Sequence, residues 1–193
     1  MEVSKTEDKD ERLEDFASLF VEYHGEEIAK KYLTDKNLMA FLNSGGFMTA
    51  PASTRFHGAY EGGLYDHSRQ VAIELEALTG DLGLRWKREE SPFLIGMFHD
   101  LCKCDQYISK KSEHGKTEYE YNGKLMLSGH GTKSVMILSQ FMTLTEEEIL
   151  CIRYHMGAYE KDDWDGFDMA IRKYPNVLYT HTADMIASKI RGI

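Results

Sequence analysis

What this chain has little of narrows its chemistry first. Three cysteines in 193 residues, Cys102, Cys104 and Cys151, are too few for a disulfide framework. The one close pair, Cys102 and Cys104, lacks the two-residue spacer of common zinc and redox motifs, so the thiols are expected to be reduced and mostly structural. No apolar run approaches the roughly 20 residues of a membrane span. The opening stretch MEVSKTEDKDERLED is charged where a secretory signal needs an apolar segment, so a soluble, cytoplasmic protein is expected. Positive charge is also short. A formal net charge of -9 argues against gripping nucleic acid through its backbone, which draws on a surplus of Lys and Arg. An acidic protein acting on a phosphate must supply positive charge at the site itself, and bound metal ions do this economically.

The chain does have a helical rhythm, and enough apolar residues for one continuous core. Residues 6–22 read as an amphipathic helix with Leu13, Phe16, Leu19 and Phe20 on one face, and shorter helices follow over 26–33 and 38–42. These form a helical N-terminal extension, residues 1–45, packed on a domain spanning 46–193. A helix is predicted over 64–78. Another opens at Ser91-Pro92, with Ser91 as the capping hydroxyl, and delivers His99-Asp100 at its end. Further helices are expected over 131–142 and from a capping box at Thr145 and Glu148 to His155. The last follows Pro175 and carries Asp184, with Val177, Leu178, Met185, Ile186 and Ile190 as its buried stripe. In KTEYEYNGKLMLSG, Asn122-Gly123 sits between two alternating runs and predicts a hairpin near 117–127. The fold class is therefore mostly α, a helical bundle with one small β-hairpin.

A lone His-Asp dipeptide is weak evidence for metal binding. Here, however, His67, His99-Asp100, His130, His155 and Asp184 each fall at or near a predicted helix end. Convergence of such residues from several helices is how bundles build metal sites, and imidazole with carboxylate suits Zn, Mn, Fe or Co better than Ca. The ordered pattern resembles the HD superfamily of metal-dependent phosphohydrolases. HGAYEGGLYDHSRQVA (57–72) is similar to its first-histidine motif, close to the version in YhaM-type 3′-to-5′ exoribonucleases. FLIGMFHDLCK (93–103) resembles its HD helix with the following lysine, and LSGHGTKSVMIL, IRYHMGAY and THTADMIASK resemble its later ligand segments.

The resemblance implies that His67, His99, Asp100 and Asp184 hold a first ion. His130 and His155 then either hold a second ion, with Asp100 bridging, or donate to phosphate. The cofactor is one or two divalent ions, Mn, Fe, Zn, Co or Ni, with Mg admissible at the second position. Metal-activated water attacks phosphorus while the ions neutralise phosphoryl charge. Asp100, Lys103 and His130 are the expected catalytic groups. Lys103, one turn past His99, contacts the substrate phosphate, and Arg55 and His57 are further candidates for phosphate contact or leaving-group protonation. His181 is expected to be a partner of a ligand, and His24 and His114 to be solvent-exposed.

Substrate signals point two ways. Tyr159, Trp164 and Phe167 lie in a loop after His155 and either stack on a base or cover the core, but Glu160, Asp162, Asp163, Asp165 and Asp168 share that loop and repel a polyanion. Lys110, Lys111, Lys116 and Lys124 mix with Tyr107, Tyr119 and Tyr121 in the hairpin region, a composition that suits a nucleotide or a single strand. Nothing has the short-strand pattern of the OB domain that accompanies the exoribonucleases. The expected substrate is thus a small phosphorylated molecule, a nucleotide or short oligonucleotide. The alternatives are a 3′-to-5′ exonuclease on RNA or single-stranded DNA, and a non-catalytic nucleotide-sensing module.

Overall fold

The computed structural model describes residues 8–112, 114–127, 129–157 and 163–193, and the chain divides into two compact units. The first comprises residues up to His67, the segment 103–125 and Ile193. The second comprises 68–102 and 126–192. Among the described residues the protein is mostly helical, with one two-stranded antiparallel sheet. Among the described residues no helix is long and apolar enough to cross a membrane.

In the first unit, α1 (Lys9–Leu33) starts where the Asp8 carboxylate accepts the backbone N–H groups of Asp10 and Glu11. Gly25 breaks its helical geometry, which is why the sequence reads as two helices on either side of that point. Helix α2 (Lys36–Ser44) follows, capped by Asp35. Phe16, Phe20 and Tyr32 stack in the core, and the buried Arg12 guanidinium donates to the carbonyls of Met48 (2.7 Å) and Glu61 (3.2 Å). Those bonds pin the irregular segment before α3 (Gly63–Leu82), whose first turn also belongs to this unit.

The hairpin is present, but its turn is not at Asn122-Gly123. Strand β1 (Tyr107–Lys111) pairs with β2 (Thr117–Tyr121), Tyr107 opposite Tyr121 and Lys111 opposite Thr117. The reversal lies between these strands, where Ser112 accepts bonds from Gly115 and Lys116. Asn122 instead closes the open end of the ladder, donating to the carbonyls of Gln106 and Asp105. Its Oδ1 accepts the Lys124 N–H at 3.1 Å, so the turn at Asn122-Gly123 follows β2 instead of joining the two strands.

In the second unit α4 (Ser91–Phe98) is buried on every side, as a continuously apolar sequence requires. Its N-cap is Glu90, not Ser91. The Ser91 hydroxyl donates to the buried carboxylate of Glu148 at 2.7 Å. Glu148 is also the third helical residue of α6 (Glu146–Arg153), and completes there the expected capping box with Thr145. With Arg88 paired to the same carboxylate at 2.6 Å, α4 and α6 are tied together at their N-terminal ends. Helix α5 (His130–Leu138) packs on the far end of α6 through Gly131, where any Cβ would collide with the main-chain oxygens of Ile152 and Arg153. Only glycine permits that approach.

Two expectations fail in this unit. The stretch after His155, read as a loop, contains α7 (Trp164–Lys173), capped by Asp163 and burying Phe167 and Ala170. The stripe expected on α8 (Asn176–Met185) is also displaced: Leu178, Met185 and, in the π-helical end Ile186–Arg191, Ile190 are exposed. Ile186 is only half-buried. The buried face runs through Asn176, Val177, Thr180, Ala183, Asp184 and Ala187. It is small and polar because Asn176 bonds to the Arg85 carbonyl and to Glu147, and Asp184 belongs to the centre described next.

Candidate metal centre

Helices α4 and α6 share the Glu148 anchor, and a histidine follows the last turn of each. His99 caps α4, and its Nδ1 lies 2.8 Å from the Gly96 carbonyl. His155 follows α6, and its Nδ1 lies 2.7 Å from the Ile152 carbonyl. A carbonyl can only accept, so in each ring Nδ1 carries a proton, and in a neutral ring Nε2 then presents a lone pair. The rings stand 4.7 Å apart, edge to face, both fully buried.

Asp100 receives both. Its Oδ2 is 3.4 Å from His99 Nε2, and its Oδ1 is 3.4 Å from His155 Nε2 and 3.1 Å from His130 Nε2. Among the described residues His155 Nε2 has no hydrogen-bond partner, and the atom is buried. A carboxylate oxygen facing an imidazole lone pair is an acceptor facing an acceptor, an arrangement that a shared cation converts from repulsive to favourable. Asp184 reaches the same group from the buried face of α8, its carboxylate within 4.8 Å of the ligand nitrogen of His99. Burial depresses the His99 pKa from the ordinary histidine value, opposed by the carboxylates of Asp100 and Asp184. That direction favours the neutral ring, the form that binds metal.

His99, Asp100, His130, His155 and Asp184 are thus brought together within the second unit. His130, at the start of α5, is the most open member, with 23% of its side chain exposed. His181, expected to be a ligand's partner, donates from Nδ1 to the His155 carbonyl at 2.6 Å. It steadies the main chain behind that ring.

The remaining expected residues belong to the first unit or lie outside the described residues. His67 is buried on α3, its Nδ1 2.9 Å from the Ile193 oxygen and its ring 5.0 Å from that of His57. Lys103 is buried in the 3-10 turn Leu101–Cys104. Arg55 is exposed, and Tyr107 packs on Tyr121 across the hairpin. Tyr159, with Glu160 and Asp162 beside it, lies outside the described residues. Of the two other rings considered for stacking on a base, Trp164 is exposed and Phe167 is buried against Tyr154 and His181. Phe167 therefore covers the core.

Sequence reasoning passed over Cys102. Its Sγ lies 3.9 Å from Asp100 Oδ1, and Ser134 accepts its N–H at 3.0 Å while donating to the His130 carbonyl at 3.3 Å. The signal available was its place two residues after Asp100, on a tight turn. Comparison of the chain with protein-family models, with curated proteins and with solved structures finds no match.

Proposed function

We propose that this protein is a metal-dependent phosphohydrolase acting on a nucleotide or short oligonucleotide. One observation carries the metal part of that reading: His155 Nε2, fully buried and without a hydrogen bond, faces the Asp100 carboxylate that His99 and His130 also face. A buried polar atom left without a donor is costly unless something unseen completes it. The donor set, three imidazoles and two carboxylates, suits Zn, Mn, Fe or Co.

In this reading His99, Asp100, His155 and Asp184 hold one ion, and the resemblance of the sequence to HD phosphohydrolases adds His67 to that set. Asp100 and His130 form the edge of a second position. An ion held there activates water at neutral pH and stabilises charge on a phosphoryl group. The chain's own residues do the rest. The Gly96 and Ile152 carbonyls orient His99 and His155, and His181 fixes the loop behind His155. The partly open His130 faces the side from which a substrate approaches. Lys103 supplies the cation for the phosphate.

The nucleotide class rests on the sequence resemblance and on the acidic charge, which disfavours long strands. The test pairs two measurements on the purified protein, metal content and phosphoester cleavage over mononucleotides, cyclic and linear dinucleotides, short oligonucleotides and an RNA strand. Stoichiometric metal with turnover of a small nucleotide is the expected result. Bound metal without turnover under Mn, Co, Fe or Zn would replace this reading with the sensing module. Preference for the long strand would replace it with the exonuclease.

A further inference from the structure

We infer that Cys102 is a thiolate ligand in this centre, at a position shared with Asp100 and His130, so that the position is built for a borderline-soft ion such as Zn, Co or Fe(II) rather than for Mg. The inference rests on the metal reading above and goes beyond it in assigning a ligand and the metal class that the ligand selects.

The geometry comes first. The ligand atoms of Asp100, Cys102 and His130 all lie within 4.8 Å of one another. Oδ1 of Asp100 is the hinge of the group, 3.1 Å from His130 Nε2 and 3.9 Å from Cys102 Sγ. In a tetrahedral shell with metal–sulfur near 2.3 Å and metal–nitrogen or metal–oxygen near 2.1 Å, neighbouring donors sit roughly 3.4 to 3.6 Å apart. The observed separations straddle that range. Small side-chain rotations satisfy both.

The placement of Cys102 is also fixed from outside. Ser134 is fully buried on α5 and bridges the Cys102 amide and the His130 carbonyl, so the two candidate ligands keep one register. His155, assigned above to the first ion, faces the same Asp100 Oδ1 at 3.4 Å. Nε2 of His130 and Sγ of Cys102 therefore approach one carboxylate oxygen that a neighbouring ligand also approaches.

The chemistry selects the ion. Thiolate prefers Zn, Fe or Co over the oxygen-loving Mg and Ca. On coordination the Sγ–H bond is broken, the sulfur's electron pair goes to the ion and the proton leaves to solvent. Cys151 cannot take the same part. It is held by Thr180 and, among the described residues, stands in none of the clusters whose ligand atoms converge.

The experiment is cobalt reconstitution of the whole protein, read by absorption. The expected spectrum combines visible d–d bands with a near-ultraviolet thiolate-to-cobalt charge-transfer band. In Cys102→Ser the charge-transfer band disappears while cobalt still binds, at least about tenfold more weakly. Cys104→Ser and Cys151→Ser retain the band. In unmodified protein, Zn protects Cys102 from alkylation, as read by peptide mass, which needs no variant to fold. Cobalt bound without the charge-transfer band, or a band lost in Cys104→Ser instead, overturns the assignment of Cys102 and leaves the phosphohydrolase reading standing. No cobalt binding by the unmodified protein overturns both.

Discussion

The hairpin and the histidine centre are both dense in ionisable groups, and they solve the problem of charge in opposite ways. On the hairpin Lys110 pairs with Glu120 at 2.7 Å, both half-exposed, and the Lys111 ammonium donates to Thr117. The Lys110 and Glu120 charges there meet each other and stay open to solvent. At the centre, buried imidazoles face a buried carboxylate, and His155 Nε2 has no hydrogen-bond partner among the described residues. The comparison teaches that density of charge is a poor guide to chemistry. The informative feature is a polar group whose surroundings do not match it.

The largest test of that contrast is Asp100→Ala, which removes the oxygen atoms that all the rings face. Both metal retention and hydrolysis should be abolished, by metal analysis and phosphate release; an active variant would sink the site. Next comes Glu148→Ala. It removes the carboxylate that holds Arg88 and Ser91 and unties α4 from α6, and losing a buried, hydrogen-bonded carboxylate should cost about 3 to 5 kcal/mol in a denaturant melt. Lys103→Ala should lower turnover about a hundredfold, as loss of an electrostatic contact to the transition state does. Metal content should stay unchanged, and its loss would mean that Lys103 serves the centre rather than the substrate.

A smaller effect follows from His99. Its folded-state pKa lies below the ordinary 6.5, so the unfolded chain takes up a proton that the fold refuses. Stability of metal-free protein should therefore be constant above that pH and fall as acid is added through 6.5, by on the order of 1 kcal/mol at one unit below. Melts in buffered urea with chelator check it, and unchanged stability across that window would contradict a neutral buried ring. At the other extreme, Lys110→Ala should alter neither stability nor hydrolysis of a mononucleotide. Selective loss of strand cleavage in that variant would move the hairpin into the substrate site.

Much of the centre was legible because helix ends and ligand types coincide in the sequence. His99-Asp100, His130, His155 and Asp184 fall where the helices stop, and the structure gathers them. The helical fold with one hairpin was equally plain. What escaped did so for physical reasons. Helix α8 turns a small and polar face inward, so hydrophobic periodicity selected its exposed side, Leu178, Met185 and Ile190. Helix α7 lies in an acidic stretch whose Asp163 is a cap, its carboxyl held below the usual range by the Tyr154 hydroxyl and the Gly166 amide. Cys102 was dismissed by a spacing rule that applies to pairs of thiols, whereas its neighbours in space are a carboxylate and an imidazole.

The shared anchor of α4 and α6 at Glu148 sets a limit on how this chain can change. Each helix is a rod of eight residues with a fixed start and a histidine just past its far end. Inserting a single residue into either rod would advance its histidine about 1.5 Å and swing it by about 100°. Diversification of this centre must therefore proceed by substitution at constant length between residues 91 and 99 and between 146 and 155.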